Sequence, residues 1–319
     1  MSIVFAALGL IILLLAGDVL VRGAVNLGLR LGIPTLIISL TVVAFGTSAP
    51  ELLIAVKAAT EGFPGIAIGN VVGSNTANIL MVLGIPALIA GINSASCDSR
   101  KTYLHMIGAT IVFIALCFLG PLTIWHGMIL IVLLVAMLAD SYRTAQRHRR
   151  GESTACETGD DLEDLEEADA DMPGWKIGTF ILLGLIGLPL GADMLVDGAV
   201  DIARHFGISE ATIGLTLIAF GTSLPELATT VVAALRKHSD VVMGNVIGSN
   251  LFNLLGIMGV ASFFGPLAVP PGILHFDIWV MLGTSLLIIP FVFGGANITR
   301  LWGALLSATY ILYIAFLLA

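Results

Sequence analysis

Apolar stretches of about 20 residues recur along almost the whole of this 319-residue chain, and each is long enough to cross the hydrocarbon core of a bilayer. Fifty-seven per cent of the residues are apolar and 11% are charged, whereas a soluble domain carries about 25% charged residues. A water-soluble fold cannot hide that much apolar surface. Helices in a bilayer satisfy their own backbone and turn apolar side chains to lipid. We therefore read an all-α integral membrane protein with about ten transmembrane helices, at approximately 3–27, 34–59, 64–91, 103–119, 122–140, 175–203, 209–235, 240–266, 277–295 and 300–318. No Lys or Arg precedes the first run, so it reads as a span rather than a cleaved signal.

A hydrophilic segment, 141–174, divides the spans five and five. It opens basic (Arg143, Arg147, His148, Arg149, Arg150) and turns acidic, holding ten of the chain's 22 acidic residues between Glu152 and Asp171. The net charge of −8 is thus largely local. The segment lacks the D-x-[DN]-x-[DN]-G pattern of a calcium-binding EF-hand, and a run of like charges reads as a solvated loop. No basic surface points to nucleic acid. Cys97, Cys117 and Cys156 are scattered, with no spacing that suggests a disulfide framework or zinc site. The expected organisation is a first five-helix repeat over 1–140, a charged linker over 141–174 and a second repeat over 175–319.

The halves share a register. GTSAPEL starts at Gly46 and GTSLPEL at Gly221; GNVVGSNTANIL starts at Gly69 and GNVIGSNLFNLL at Gly244; both pairs are 175 apart. Asp18, Leu20, Val21 and Gly23 likewise answer Asp193, Leu195, Val196 and Gly198. Chance similarity of apolar helices would not keep Gly, Asn, Ser, Pro and Glu in step, so the chain is an internal duplication. An odd number of spans per half makes the second copy enter the membrane inverted. With the N-terminus outside, twelve Lys and Arg residues fall at cytoplasmic loops and span ends and only Lys57 and Arg204 on the other side, which agrees with the positive-inside rule. The 141–174 linker is then cytoplasmic, in a plasma or prokaryotic inner membrane. Inverted repeats with broken helices are a recurring plan of secondary transporters.

Glu51 and Glu226 lie within otherwise apolar spans, where a carboxylate is costly and faces the protein interior or a watery cavity. Each follows Gly-Thr-Ser-x-Pro, poor continuous helix: Gly adds backbone freedom and Pro removes an N–H while crowding the carbonyl four residues back. Each span is expected to break into two half-helices, freeing carbonyls near Ala44 and Ala219 beside the hydroxyls of Thr47, Ser48, Thr222 and Ser223. Two carboxylates, four hydroxyls and several carbonyls form an all-oxygen set. Hard cations such as Ca²⁺ take six to eight oxygens at about 2.3–2.6 Å, while transition metals favour imidazole or thiolate. Two carboxylates balance one Ca²⁺, and the same oxygens can hold Na⁺ or protons instead. The GNVxGSN segments add neutral oxygens at Ser74, Asn78, Ser249 and Asn253, with Ser and Asn four apart on one helix face.

Plainer roles are available for some of these residues. Small and polar residues also glue membrane helices together, which serves as an alternative for Ser74 and Ser249; packing or backbone hydrogen bonding is the favoured reading for Asn75 and Asn250. Asp18 lies four residues before Arg22 and reads as an ion-paired structural acid; its counterpart Asp193 lacks that partner, because Asp197 stands where Arg22 does. Methionines read as packing or lipid-facing.

These paired motifs resemble the calcium/cation antiporter superfamily, and in the forms GTSAPEL–GNVVGSNTANIL and GTSLPEL–GNVIGSNLFNLL its sodium/calcium exchanger branch, over essentially the whole chain. The resemblance implies that Glu51 and Glu226 coordinate Ca²⁺ with Thr47 and Thr222. It implies one flanking Na⁺ site at Ser48, Ser74 and the Ala44 carbonyl, a symmetry mate at Ser223, Ser249 and the Ala219 carbonyl, and Asn78 and Asn253 lining the middle. The first and sixth spans would slide as a gate. Some relatives carry Asp where this chain has Asn253, which argues against K⁺ co-transport. The GTSxPE motif favours Na⁺ over H⁺ as counter-ion. Ca²⁺ and Na⁺ are then transported substrates, with no cofactor. An antiporter of H⁺/Ca²⁺ or another cation pair is the alternative; an ion channel or an intramembrane hydrolase is less favoured, the hydrolase because no HExxH or GxSxG motif is present.

Overall fold

The computed structural model describes residues 2–30, 47–93, 99–149, 172–235, 237 and 239–319, all helical apart from short connections and two isolated bridges. In chain order the helical stretches are α1 (Ser2–Arg30), α2 (Ala49–Thr60), α3 (Pro64–Ala90), α4 (Arg100–Phe118), α5 (Ile124–Arg149), α6 (Gly174–Phe206), α7 (Glu210–Leu235), α8 (Val241–Ala261), α9 (Ile273–Phe293) and α10 (Arg300–Leu318). Six of them, α3, α4 and α7 to α10, are long and apolar enough over the described residues to cross a bilayer. The described residues therefore give six spans rather than the expected ten. The first part of the expected 34–59 span falls in 31–46, outside them, as does the acidic stretch 157–171. Helix α5 continues to Arg149, past its expected end at 140.

Proline and glycine punctuate the helices as their backbones require. Pro50 and Pro64 sit in the first turns of α2 and α3, where the missing N–H breaks no hydrogen bond. Gly91, at φ 68°, ends α3 in a conformation that costs a side-chain-bearing residue energy. Large apolar side chains such as Leu119, Trp125, Trp175, Leu301 and Leu312 stand exposed around the outside, a surface suited to lipid and not to water.

Helices α1 and α6 run antiparallel: Ser2 Oγ donates to Asp201 Oδ2 at 3.2 Å at one end, and Arg30 lies against Gly174 at the other. Their seam is built of small residues. A Cβ added to Gly9 would fall 2.5 Å from the Leu195 amide nitrogen, and one on Gly187 or Gly198 within 2.8 Å of Ala16 or Ala6 Cβ. Small residues let membrane helices approach backbone to backbone and gain dispersion contacts there.

The remaining helices interleave the two halves. Helix α3 packs on α10 at Gly84 and Gly303, and α8 packs on α5 at Gly259 and Gly127. Bridges Ile92–Ile298 and Leu122–Leu267 tie the same two pairs at their ends. These contacts are mates in the repeat: 259 − 84 and 267 − 92 are 175, while 303 − 127 and 298 − 122 are 176, so the register slips by one residue before the last helix. A Cβ on Gly303 would sit 2.2 Å from the Leu88 nitrogen and 2.7 Å from the Gly84 oxygen. Neither backbone atom can turn aside. Gly303→Ala is expected to destabilise the protein by about 1–3 kcal/mol, the usual cost of overpacking. Thermal unfolding in detergent checks this, and an unchanged melting temperature would refute the close approach.

Candidate functional site

Glu51 and Glu226 each stand in the first turn of a helix segment, Ala49–Thr60 and Leu224–Leu235. The residue before each segment is a serine at nearly the same backbone angles: Ser48 at φ −88°, ψ 7° and Ser223 at φ −81°, ψ 3°. The break in α7 is therefore a single residue and not an unwound stretch. The Ala219 carbonyl, expected to be free, still accepts the Ser223 amide at 3.1 Å and lies 3.5 Å from Thr222 Oγ1. Ala44 lies outside the described residues.

Helices α3 and α7 cross at glycines. A Cβ on Gly69, Gly73 or Gly214 would come within 2.8 Å of a backbone oxygen of the other helix. This closeness brings Asn70 of α3 between the two glutamate-bearing segments. Asn70 Nδ2 donates to the Glu51 carbonyl at 3.3 Å, and Asn70 Oδ1 lies 3.3 Å from Thr222 Oγ1, whose nearest acceptor is the Ile218 carbonyl of its own helix at 3.0 Å. In the second half Asn245 Nδ2 donates to the Glu226 carbonyl at 3.4 Å and to Thr230 Oγ1 at 3.0 Å. Ser48 Oγ then donates across the halves to Glu226 Oε1 at 3.1 Å. Thr222 faces the Glu51 carboxyl as Thr47 and Ser48 face that of Glu226.

All eleven described members of the set read from sequence are buried: Thr47, Ser48, Glu51, Ser74, Asn78, Ala219, Thr222, Ser223, Glu226, Ser249 and Asn253. Among the described residues, seven of their side-chain oxygens have no hydrogen-bond partner. They are Glu51 Oε2, Glu226 Oε2, Ser74 Oγ, Ser249 Oγ, Asn78 Oδ1, Asn253 Oδ1 and Ser223 Oγ. Six of the seven form repeat mates. Buried polar atoms are nearly always paired, and an unpaired one costs about 1–3 kcal/mol. The unpaired oxygens, two of them from carboxyls, are an all-oxygen set of the kind that hard cations take as ligands.

Two sets of side-chain pairings add partners that no spacing within one helix shows. Arg22 pairs with Asp18 at 3.1 Å as the spacing predicts, but Asp193 is not left alone: Lys57 Nζ of α2 reaches it at 3.1 Å. That partner comes from a different helix, invisible to any spacing within α6. Asn75 and Asn250 are buried as the packing reading expects, and Asn250 Nδ2 bonds the Asn75 backbone carbonyl at 3.4 Å, but both also accept from side chains of the other half, Asn253 and Asn78.

The sequence profile described as "Sodium/calcium exchanger protein" matches residues 1–142 and 176–319. This chain belongs to the sodium/calcium exchanger family. It is 35% identical over 281 residues to the inner membrane protein YrbG of Escherichia coli, covering 88% of this chain and 85% of YrbG. It is 30% identical to the sodium/calcium exchanger MaX1 of Methanosarcina acetivorans, covering 97% and 96%. A solved structure of the sodium-calcium exchanger NCX_Mj superimposes with a TM-score of 0.66 at 32% identity, over 98% of this chain and 97% of that one. The chain is thus a multi-pass membrane exchanger of the calcium/cation antiporter superfamily and not an enzyme.

Proposed function

We propose that this exchanger-family protein is a Na⁺/Ca²⁺ antiporter working by alternating access. The observation that carries the reading is the cluster of unpartnered buried oxygens shared between the two halves. Glu51 and Glu226, with Thr47 and Thr222, hold Ca²⁺. Ser48, Ser74 and the Ala44 carbonyl serve one Na⁺ position, and Ser223, Ser249 and the Ala219 carbonyl its mate, with Asn78 and Asn253 between. The ions are substrates, and no resident cofactor takes part.

Charge explains why such a site exchanges rather than leaks. Two carboxylates among apolar helices are costly without cations, so the empty site resists turning from one side to the other. Ca²⁺, or Na⁺ ions in its place, removes that penalty. The antiparallel α1–α6 pair, packed more closely on itself than on its surroundings, suits a unit that slides past the site to change access. Its antiparallel course and the mated contacts of α3–α10 and α8–α5 support ten spans in two inverted repeats, over 1–140 and 175–319. The distribution of Lys and Arg supports an N-terminus outside and a cytoplasmic 141–174 linker.

Uptake of radiolabelled Ca²⁺ into proteoliposomes under imposed gradients is the test. An outward Na⁺ gradient should drive uptake, and a K⁺ gradient should not. Uptake that ignores Na⁺ and follows pH would identify H⁺ as the counter-ion and overturn the Na⁺ reading. Uptake needing no counter-ion would identify a channel.

A further inference from the structure

We propose that Asn75 and Asn250 are positioning residues that aim the Asn253 and Asn78 oxygens at the transported cation, each held in its own orientation by a methionine thioether. The inference rests on the cation site proposed above and adds residues outside it. Asn253 Nδ2 donates to Asn75 Oδ1 at 3.3 Å, and Asn78 Nδ2 donates to Asn250 Oδ1 at 3.0 Å. A carboxamide carries donor and acceptor on opposite sides of one planar group. Fixing the nitrogen therefore fixes the direction of the oxygen. Asn253 Oδ1 and Asn78 Oδ1 are two of the unpartnered buried oxygens.

The positioning amides must themselves be oriented, because a flipped Asn75 would set two NH₂ groups against each other. Asn75 Nδ2 lies 3.7 Å from Met281 Sδ, and Asn250 Nδ2 lies 3.8 Å from Met106 Sδ. Asn250 Nδ2 also reaches the Asn75 carbonyl at 3.4 Å. A thioether accepts hydrogen bonds and cannot donate them, so it selects the nitrogen side of each amide and leaves the oxygen for the coordinating residue. Met106 and Met281 are themselves 175 residues apart, as are the two asparagines they orient. In both cases the first asparagine and its ward belong to different halves. The chain Met281–Asn75–Asn253 and its mate Met106–Asn250–Asn78 thus lace the repeats together at the site. Both coordinating asparagines begin or sit within π-helical segments, Asn78–Val82 and Phe252–Ile257, a local widening frequent at functional sites.

The experiment reads the Ca²⁺ KM of Na⁺-driven uptake in proteoliposomes. Asn75→Ala should raise KM about tenfold, the value of one well-placed hydrogen bond, and leave the maximal rate largely unchanged. In an Asn253→Ala background the same change should add nothing, because Asn75 acts only through Asn253; a purely structural residue would add its effect independently. Met281→Leu conserves volume and removes only the acceptor, and should raise KM about threefold. Independent addition of Asn75→Ala and Asn253→Ala in an active protein would overturn the positioning role alone. If Asn75→Ala does not fold, an unchanged KM in Met281→Leu overturns it equally. Absence of Na⁺-driven uptake by the unsubstituted protein would overturn both this inference and the exchange reading.

Discussion

Glu226→Gln should abolish Ca²⁺ exchange and leave the protein folded. Gln keeps the length of the side chain and an oxygen for the Ser48 hydroxyl, which bonds Glu226 Oε1 at 3.1 Å. What it removes is one of two counter-charges in a site whose carboxylates are 1% exposed. Removing one partner of a buried charge pair costs about 3–5 kcal/mol, or roughly 150- to 5,000-fold in affinity. Glu51→Gln should behave the same way, because the two residues occupy mated positions with mated backbone supports from Asn70 and Asn245. The folded state supplies an independent readout. Ca²⁺ should raise the melting temperature of the unsubstituted protein, since a ligand that binds only the native state stabilises it, and should not shift either variant. Full exchange in both variants would refute the site.

Gly73→Val should reduce exchange more than tenfold by moving two walls of the site apart. A Cβ at Gly73 would fall 2.7 Å from the Leu215 carbonyl oxygen and 2.9 Å from its Cα, both backbone atoms of α7. Relief requires α3 to withdraw from α7. Helix α3 carries Ser74 and Asn78, and α7 carries Thr222 and Glu226, so a withdrawal of an ångström opens the site. Oxygens that must lie about 2.3–2.6 Å from Ca²⁺ do not tolerate it. The overpacking itself costs about 1–3 kcal/mol, and the loss of transport should exceed what that destabilisation explains. Gly283→Ala, on an exposed face of α9 with no atom within 4 Å of the added Cβ, is the matched control. Equal Ca²⁺ uptake by the Gly73 and Gly283 variants would contradict the account.

Much of the site was legible because the duplication repeats it. A constant offset of 175 marks Glu51 with Glu226, Ser74 with Ser249 and Asn78 with Asn253 before any contact is known. The proline in each motif announced the interruption that the backbone angles of Ser48 and Ser223 display. The carbonyl expected to be freed by it at Ala219 instead still accepts the Ser223 amide, and the Ser223 carbonyl accepts the Leu227 amide, so hydrogen bonding continues across the break.

Sequence by itself determined the membrane environment, the helical class and the register between the halves, because hydropathy and residue identity are properties each segment carries alone. Tertiary structure decided which polar groups serve one another. Asn75 and Asn78 are indistinguishable as residue types in one motif, yet the first has its oxygen bonded by Asn253 and the second leaves its oxygen without a partner. Met281 and Lys57 likewise take their roles from Asn75 and Asp193, partners more than 130 residues away. Hydrogen bonds depend on distance and direction in space, and for these residues both are set by how the two halves interleave.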